Sequence, residues 1–363
     1  MPEPLKIAVA GLGRMGWIHA QNVIELAKES GACTLAGVAD ANPDRRQKFA
    51  DAYGLAVPIF TSVDELAAAK VCQSTIVVTP TENHRAHATQ LIAAGHRVLV
   101  EKPLTGSLAG DREFVAELDA RHPHALMLAF QRRFDEASQF ARDLMRSGAI
   151  GTIFKVYSAL EDSGPAPDGY QSPGILADMS VHNVDEILWL TGQMPVAALS
   201  VGSRTYSHRL TTCTEDFDDA VLFMWFPKQA VGELTAQVQV TRNHVSGYRT
   251  ETAIFGERGQ IRIGRFAQRP HEVIVEAYGP RFTSDAVEQR VFAVVEDQRN
   301  QAEFVARYGR SYQAEVAAFV ECCRQGQPFP ITHRDGLRAQ EVIAAGMQKM
   351  LTRADAVAVT NPG

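Results

Sequence analysis

The chain has 363 residues, 45% of them hydrophobic and 21% charged, with a formal net charge of −6. This is a globular composition with core enough for two domains, and it excludes a polyanion-binding surface, so nucleic acid is not an expected partner. No apolar run reaches the about eighteen residues of a membrane span, and Met1 to Lys6 lacks the charged-then-apolar layout of a signal peptide, so a cytoplasmic protein is expected.

The first third alternates strand and helix. Lys6 to Ala10 reads as a strand and Met15 to Ala27 as a helix. Thr34 to Ala39 is a second strand ending at Asp40, and Val57 to Phe60 a weak third. Ser62 and Glu65 form a capping-box pattern that opens a helix. Ser74 to Val78 is a strongly apolar strand that runs into Thr79-Pro80. His84 to Ala94 is helical and stops at Gly95. A strand at Arg97 to Val100, a helix near Leu108 to Asp119 and a strand at Ala125 to Phe130 complete the run. Such alternation predicts a parallel, doubly wound sheet in a domain over residues 1–128.

The pattern then changes. A helix is expected over Glu136 to Met145 and a strand over Ile153 to Ala159. A Pro- and Gly-rich loop follows from Asp162 to Tyr170. A helix starts near Leu176, and Ala220 to Ile263 is β-rich, with strands at Val221 to Phe226, Gly232 to Val240 and Thr250 to Phe255. Two helices close the chain, near Tyr312 to Cys323 and Leu337 to Leu351. Residues 129–363 therefore read as an α+β domain with a mostly antiparallel sheet, whose terminal helices are free to pack back on the first domain. The overall fold class is α/β. The five cysteines, Cys33, Cys72, Cys213, Cys322 and Cys323, suit neither zinc nor a disulfide framework. They read as buried, reduced thiols, and no metal is expected.

Gly11-Leu12-Gly13-Arg14-Met15-Gly16 matches GxGxxG between a strand and a helix, which is the context a dinucleotide site requires. The glycines permit a tight turn and close approach of backbone to a pyrophosphate, and the helix start offers free N–H groups. Asp40 ends the second strand where an acid accepts ribose hydroxyls and repels a 2′-phosphate. NAD is therefore expected over NADP, with Arg45 the residue that could instead hold a 2′-phosphate.

Glu101-Lys102-Pro103 ends a buried strand at the carboxyl edge of the sheet, where such sheets bind ligands, and a cis bond before Pro103 would shape the turn. Asp178, His182, Asp185 and Trp189 share one helical stripe. His182 can accept an alcohol proton as hydride leaves carbon, and Lys102 can stabilise the developing alkoxide. Asp178 can orient the ring or bind a hydroxyl, and Asp185 can bind another. Arg132, Arg133 and Asp135 read either as a hydroxyl- or ribose-binding edge or as an interdomain salt bridge. His84 can approach the nicotinamide end, whereas His87 and His19 read as structural or surface residues. Tyr248 can reach a ligand from the β-rich part, or be core.

Several of these segments resemble the Gfo/Idh/MocA oxidoreductases and, within them, the inositol dehydrogenases. The segments are Ile7 to Gly16, Val78 to His84, Glu101 to Pro103, Phe130 to Asp135, Gly174 to Asp185 and Phe255 to Gly259, in an order that covers nearly the whole chain. Arg307, Tyr308 and Tyr312 resemble an RFxxAY segment, with Tyr308 for Phe and Ser311 for Ala, and Pro173 stands where Gly is frequent. The Gly164 to Asp168 loop is similar to that of members acting on scyllo-inositol or hexopyranoses.

The resemblance implies a Rossmann domain that binds NAD(P), and substrate between it and an open-faced C-terminal sheet. It implies Lys102 and His182 as the proton-handling pair with Asp178 beside His182, and Arg132, Asp185 and Tyr248 on polyol hydroxyls. The cofactor set it implies takes in Thr79, Pro80, Asn83, His84, Glu101 and Lys102 as well as the glycine loop, Asp40 and Arg45. It also implies a homodimer or homotetramer built through the sheet.

The expectation is an NAD-dependent oxidation of a secondary hydroxyl on a cyclic polyol, myo- or scyllo-inositol first and hexopyranose second, to the ketone. A reductase of a keto-sugar shares the fold and transition state. A non-catalytic NAD-sensing regulator expects Lys102 or His182 to be replaced, and both are present. A glycosidase using bound NAD transiently predicts no net NADH.

Overall fold

The computed structural model describes residues 3–54, 56–164, 173–205, 216–229, 232–264, 272–279, 288–293 and 303–356. Most of the expected loop from Asp162 to Tyr170, and Cys213, lie outside them. The described chain forms two compact units, one of Met1–Phe134 with Gly309–Leu337, the other of Asp135–Tyr308 with Arg338–Gly363. Among the described residues no helix is long and apolar enough to cross a membrane.

In the first unit the strands are β1 (Leu5–Ala10), β2 (Cys33–Ala39), β3 (Ile59–Phe60), β4 (Ser74–Val77), β5 (Arg97–Val100) and β6 (Leu126–Leu128). They pair in parallel in the order β3-β2-β1-β4-β5-β6. The order reverses between β1 and β4, so the carboxyl ends of those strands form the crevice where open α/β sheets bind ligands. The helices are α1 (Arg14–Ser30), α2 (Pro43–Tyr53), α3 (Val63–Ala69), α4 (His84–Ala93) and α5 (Leu108–Arg121). β1 and β4 are buried at nearly every position, as strands covered on both faces must be. Their core continues into Val316, Phe319, Val320 and Phe329 of the returning segment.

α2 was not expected, although Asn42 caps it by accepting the Asp44 and Arg45 amides and Pro43 sits in its first turn. The capping box at Ser62 is offset. Ser62 accepts the Glu65 amide at 3.1 Å, but Glu65 returns to the Thr61 amide rather than to that of Ser62.

The second unit opens with α6 (Glu136–Arg146) and β7 (Ile153–Glu161). A π turn (Leu176–Ser180) leads into α7 (Val181–Thr191). The strands that follow are β8 (Ala197–Ser203), β9 (Asp219–Gln229), β10 (Gly232–Thr241), β11 (Arg249–Gly256), β12 (Gly259–Gly264), β13 (Glu272–Tyr278) and β14 (Glu288–Ala293). α8 (Glu303–Gln325) and α9 (His333–Gln348) follow, and the end of the expected last helix is instead β15 (Met350–Leu351), which pairs with β8. The nine-stranded sheet runs β14-β13-β12-β11-β7-β10-β9-β8-β15. It is antiparallel except at β10–β7 and β15–β8. α6 lies on β12 and β13, and α7 on β7 and β10.

α7 is held from beneath by hydrogen bonds. Glu186, 3% exposed, accepts the hydroxyls of Ser138 at 3.0 Å and Thr252 at 2.9 Å, and Asn183 donates to Ser158 at 2.7 Å. These buried hydrogen bonds orient the helix as well as attaching it. β9 alternates, with Leu222, Met224 and Phe226 buried and Val221, Phe223 and Trp225 half-buried on the other face.

Candidate active site

The glycine loop is built for close backbone approach. Gly11 has φ +101°, and a Cβ there would meet the Val78 carbonyl oxygen at 2.4 Å. A Cβ on Gly16 would meet the Gly11 carbonyl oxygen at 1.9 Å. At Gly13 the nearest atom to such a Cβ is an Arg45 nitrogen 3.8 Å away, so space is left over the loop. α1 starts with no side-chain cap and no acid in its first turn. Its first amides and positive dipole end are therefore available to an anion. Arg14 is exposed and Met15 half-buried beside them.

Asp40, 8% exposed, follows β2. One oxygen accepts the Leu12 amide at 2.6 Å and the other the Asn42 amide at 2.8 Å, while an Arg45 nitrogen lies 3.6 Å away. An open helix start, glycines that a Cβ would obstruct and a fixed carboxylate fit a dinucleotide.

Beyond β4 and β5 two turns stand side by side. His84, expected to approach the nicotinamide, is 1% exposed. Its Nε2 lies 2.8 Å from the Thr79 carbonyl oxygen and its Nδ1 2.9 Å from that of Pro103. Both nitrogens face carbonyl oxygens, and a neutral imidazole carries one N–H, so one of the two contacts is a donated hydrogen bond; the ring is enclosed between the two turns and not open to a ligand. Burial pushes its imidazole below the ordinary value, against the pull of these carbonyls and of Glu101. His87 meets the Thr79 hydroxyl at 3.0 Å. Pro80 and Asn83 bracket the short turn Thr81–Asn83 between β4 and α4.

The Lys102–Pro103 bond is cis. Glu101, 8% exposed, accepts from His19 Nε2 at 2.9 Å and from the Lys102 amide at 3.1 Å. Burial would raise its carboxyl, but His19, Lys102 and His84 outweigh it and hold the group below the usual carboxylate range.

In the second unit Asp178 sits on the π turn and His182 one turn on in α7, both partly exposed. A single π turn at the head of a helix re-aims the side chains it carries, and such turns are frequent at functional sites. Asp178 is paired with Arg242, just past β10, at 3.1 Å. The two side chains are 14% and 4% exposed. Asp216 accepts the Ile175 amide at 2.8 Å and so caps the start of the turn. Asp185, expected to bind a substrate hydroxyl, is 1% exposed. Tyr248 is half-buried, and its amide donates to Glu303 at 2.9 Å.

The two ion pairs after β6 are each internal to one unit, not interdomain. Arg133 meets Asp335 at 3.0 Å in the first, and Asp135 meets Arg307 at 2.7 and 3.0 Å in the second. Arg132 is 2% exposed. Among the described residues no group of three or more His, Cys, Asp or Glu is placed to hold a metal ion. Cys33 and Cys72 are buried free thiols, whereas Cys322 and Cys323 are free but partly exposed.

His19, read as structural or surface, is structural, but its bond to Glu101 was not expected, and Arg242 and Asp216 were not singled out. His19 was legible in principle: it lies three residues past Gly16, on the buried face of α1 with Ala20 and Val23. Arg242 and Asp216 carry no periodic signal, since each acts at the end of a strand or loop on a residue far off in sequence.

Comparison with known proteins agrees with both halves. Residues 5–130 match the model of an oxidoreductase family with an NAD-binding Rossmann fold, and residues 138–262 match the GFO/IDH/MocA C-terminal domain. An inositol 2-dehydrogenase of Leifsonia xyli is 29% identical over 323 residues, covering 89% of this chain and 86% of that protein. A scyllo-inositol 2-dehydrogenase (NAD(+)) of Bacillus subtilis is 27% identical, covering 94% and 93%. The fold is shared with scyllo-inositol dehydrogenase from Lactobacillus casei, solved with NAD(H) and scyllo-inositol, at a TM-score of 0.78 and 24% identity over 96% and 97% of the chains. The chain belongs to the Gfo/Idh/MocA family of oxidoreductases.

Proposed function

We propose that the protein oxidises a secondary hydroxyl of a cyclic polyol, inositol first and hexopyranose second, to the ketone, with NAD as acceptor. The observation that carries this reading is the partly exposed pair of Asp178 on a π turn and His182 in the helix it opens, in a chain whose curated relatives are inositol dehydrogenases. NAD is favoured over NADP because Asp40 is a fixed anion and its neighbouring cation, Arg45, is turned toward it. When bound, the nicotinamide supplies the carbon that accepts hydride. The residues of this chain do the rest.

His182 takes the hydroxyl proton on a ring nitrogen, and the carboxylate of Asp178 favours the imidazolium so formed. The Lys102 ammonium stabilises the oxygen as negative charge develops on it. We assign Tyr248, Arg132 and Asp185 to substrate hydroxyls. The last two are 2% and 1% exposed. The half-buried Val221, Phe223 and Trp225 on the face of the sheet opposite α6 and α7 support a homodimer or homotetramer through that face. Free thiols at all four described cysteines suit a reducing compartment.

NADH formation at 340 nm with NAD or NADP tests the reading against myo-, scyllo- and chiro-inositol, glucose, galactose and xylose. We expect turnover with one cyclic polyol, lost in Lys102→Ala and His182→Ala. NAD binding without turnover on any of them would overturn it.

A further inference from the structure

The turn that carries Lys102 is anchored to the nucleotide-binding helix by a buried histidine. His19 is fully buried on α1, three residues past the last glycine of the loop, with its ring edge-on to Tyr312 at 6.0 Å. Its Nε2 faces one oxygen of Glu101 at 2.9 Å, and the other oxygen receives the Lys102 amide at 3.1 Å. A carboxylate only accepts, so His19 donates here. An anion this deep needs such donors, since an unpaired buried charge is costly. The Pro103 carbonyl of the same turn lies 2.9 Å from His84 Nδ1. Glu101 also hydrogen-bonds through its own amide to the Val77 carbonyl of β4 at 3.0 Å, so its backbone is set by the sheet and its side chain by α1.

We propose that His19 is a positioning residue for the reaction. It fixes the Glu101 carboxylate, Glu101 fixes the Lys102 amide, and the direction in which the Lys102 side chain leaves the strand end follows. Because His19 rides on α1, the setting of Lys102 depends on the seating of the same helix whose start receives the dinucleotide. This rests on the assignment of Lys102 to the alkoxide.

Two variants separate donor from bulk. His19→Gln places an amide nitrogen close to where Nε2 stands and keeps the donor, whereas His19→Leu keeps the volume and loses it. In His19→Leu, kcat falls between about tenfold and a hundredfold, as misplacement of a catalytic group by about 1 Å does. The substrate KM and the NADH dissociation constant, measured by calorimetry, stay within about threefold, and His19→Gln recovers most of kcat. The proposal is overturned if His19→Leu matches wild type, if His19→Gln is as impaired as His19→Leu, or if NADH affinity falls in step with kcat.

A second readout needs no turnover. Trace acetylation of Lys102 in the cofactor-free protein, followed by peptide mass spectrometry across pH, reports the surroundings of its amine. The profile of His19→Leu departs from wild type, and that of His19→Gln does not. Identical profiles in all three overturn the proposal, whatever the substrate. A shifted profile in a protein that oxidises no polyol leaves the positioning role standing and removes the polyol reading.

Discussion

Arg242 and Asp178 provide the sharpest test of how the second unit is held together. Their charged groups lie 3.1 Å apart, with side chains 4% and 14% exposed. At an effective dielectric constant of about 20, two unit charges at that distance attract by about 5 kcal/mol before desolvation is counted. Desolvation offsets much of this, but deleting one partner of a buried pair takes the counterion from the other, which costs about 3–5 kcal/mol. Water reaches Asp178, so the low end applies: Arg242→Met should destabilise the second unit by about 3 kcal/mol.

Asp178→Asn takes the carboxylate from Arg242 instead and should cost a similar amount. In the double variant both members of the pair are gone, so its cost should be smaller than the sum of the two single changes. Urea unfolding followed by tryptophan fluorescence measures this in a Trp17→Phe background, where Trp189 and Trp225, both in the second unit, report. If Arg242→Met costs less than about 1 kcal/mol, the pair behaves as a solvated surface pair and the reasoning fails. Strict additivity in the double variant would refute it too. Turnover should also fall in Arg242→Met, since the carboxylate beside His182 loses a fixed partner.

Gly16→Ala has no room: its Cβ would stand 1.9 Å from the Gly11 carbonyl oxygen, so the loop must shift. NADH affinity should drop at least about tenfold by calorimetry, and wild-type affinity would show that the loop does not form the cradle. Asp111, 1% exposed, is pushed up from 3.8 to about 6 by burial, against the opposing Thr105 amide and hydroxyl. The unfolded chain releases this proton near 3.8 while the folded chain keeps it to about 6, so wild type loses stability as pH rises between those values. Asp111→Asn does not titrate, and its advantage over wild type should grow across that window and level off at about 3 kcal/mol above it. Thermal melts at about pH 4.5 and about pH 7.5 read the difference, and a constant offset between the two proteins would refute the assignment.

Much of the first unit was legible because its signals are local. A glycine loop between an apolar strand and a helix, an acid at the next strand end and a lysine at another all act within a few residues of where they are written. Even the overlooked α2 carried its mark in Asn42-Pro43. The helix of His182 was legible as a helix, although its start at Asp178 is a π turn, and Asp178, His182 and Trp189 of the stripe are partly exposed.

What the sequence could not determine is where partners lie across long separations. His19 and Glu101 are 82 residues apart, and Arg242 and Asp178 are 64 apart. Neither pair leaves a periodic trace, because each is made by a strand or helix ending beside another. The π turn at Leu176–Ser180, the burial of Asp185 and the enclosure of His84 between two carbonyls have the same origin. Periodicity tells which residues share a face, but only packing decides which face is covered and which polar groups must find partners there. The chemistry of this protein was therefore written in its residue types and their spacing, and the support that holds those residues in place was decided by the tertiary structure.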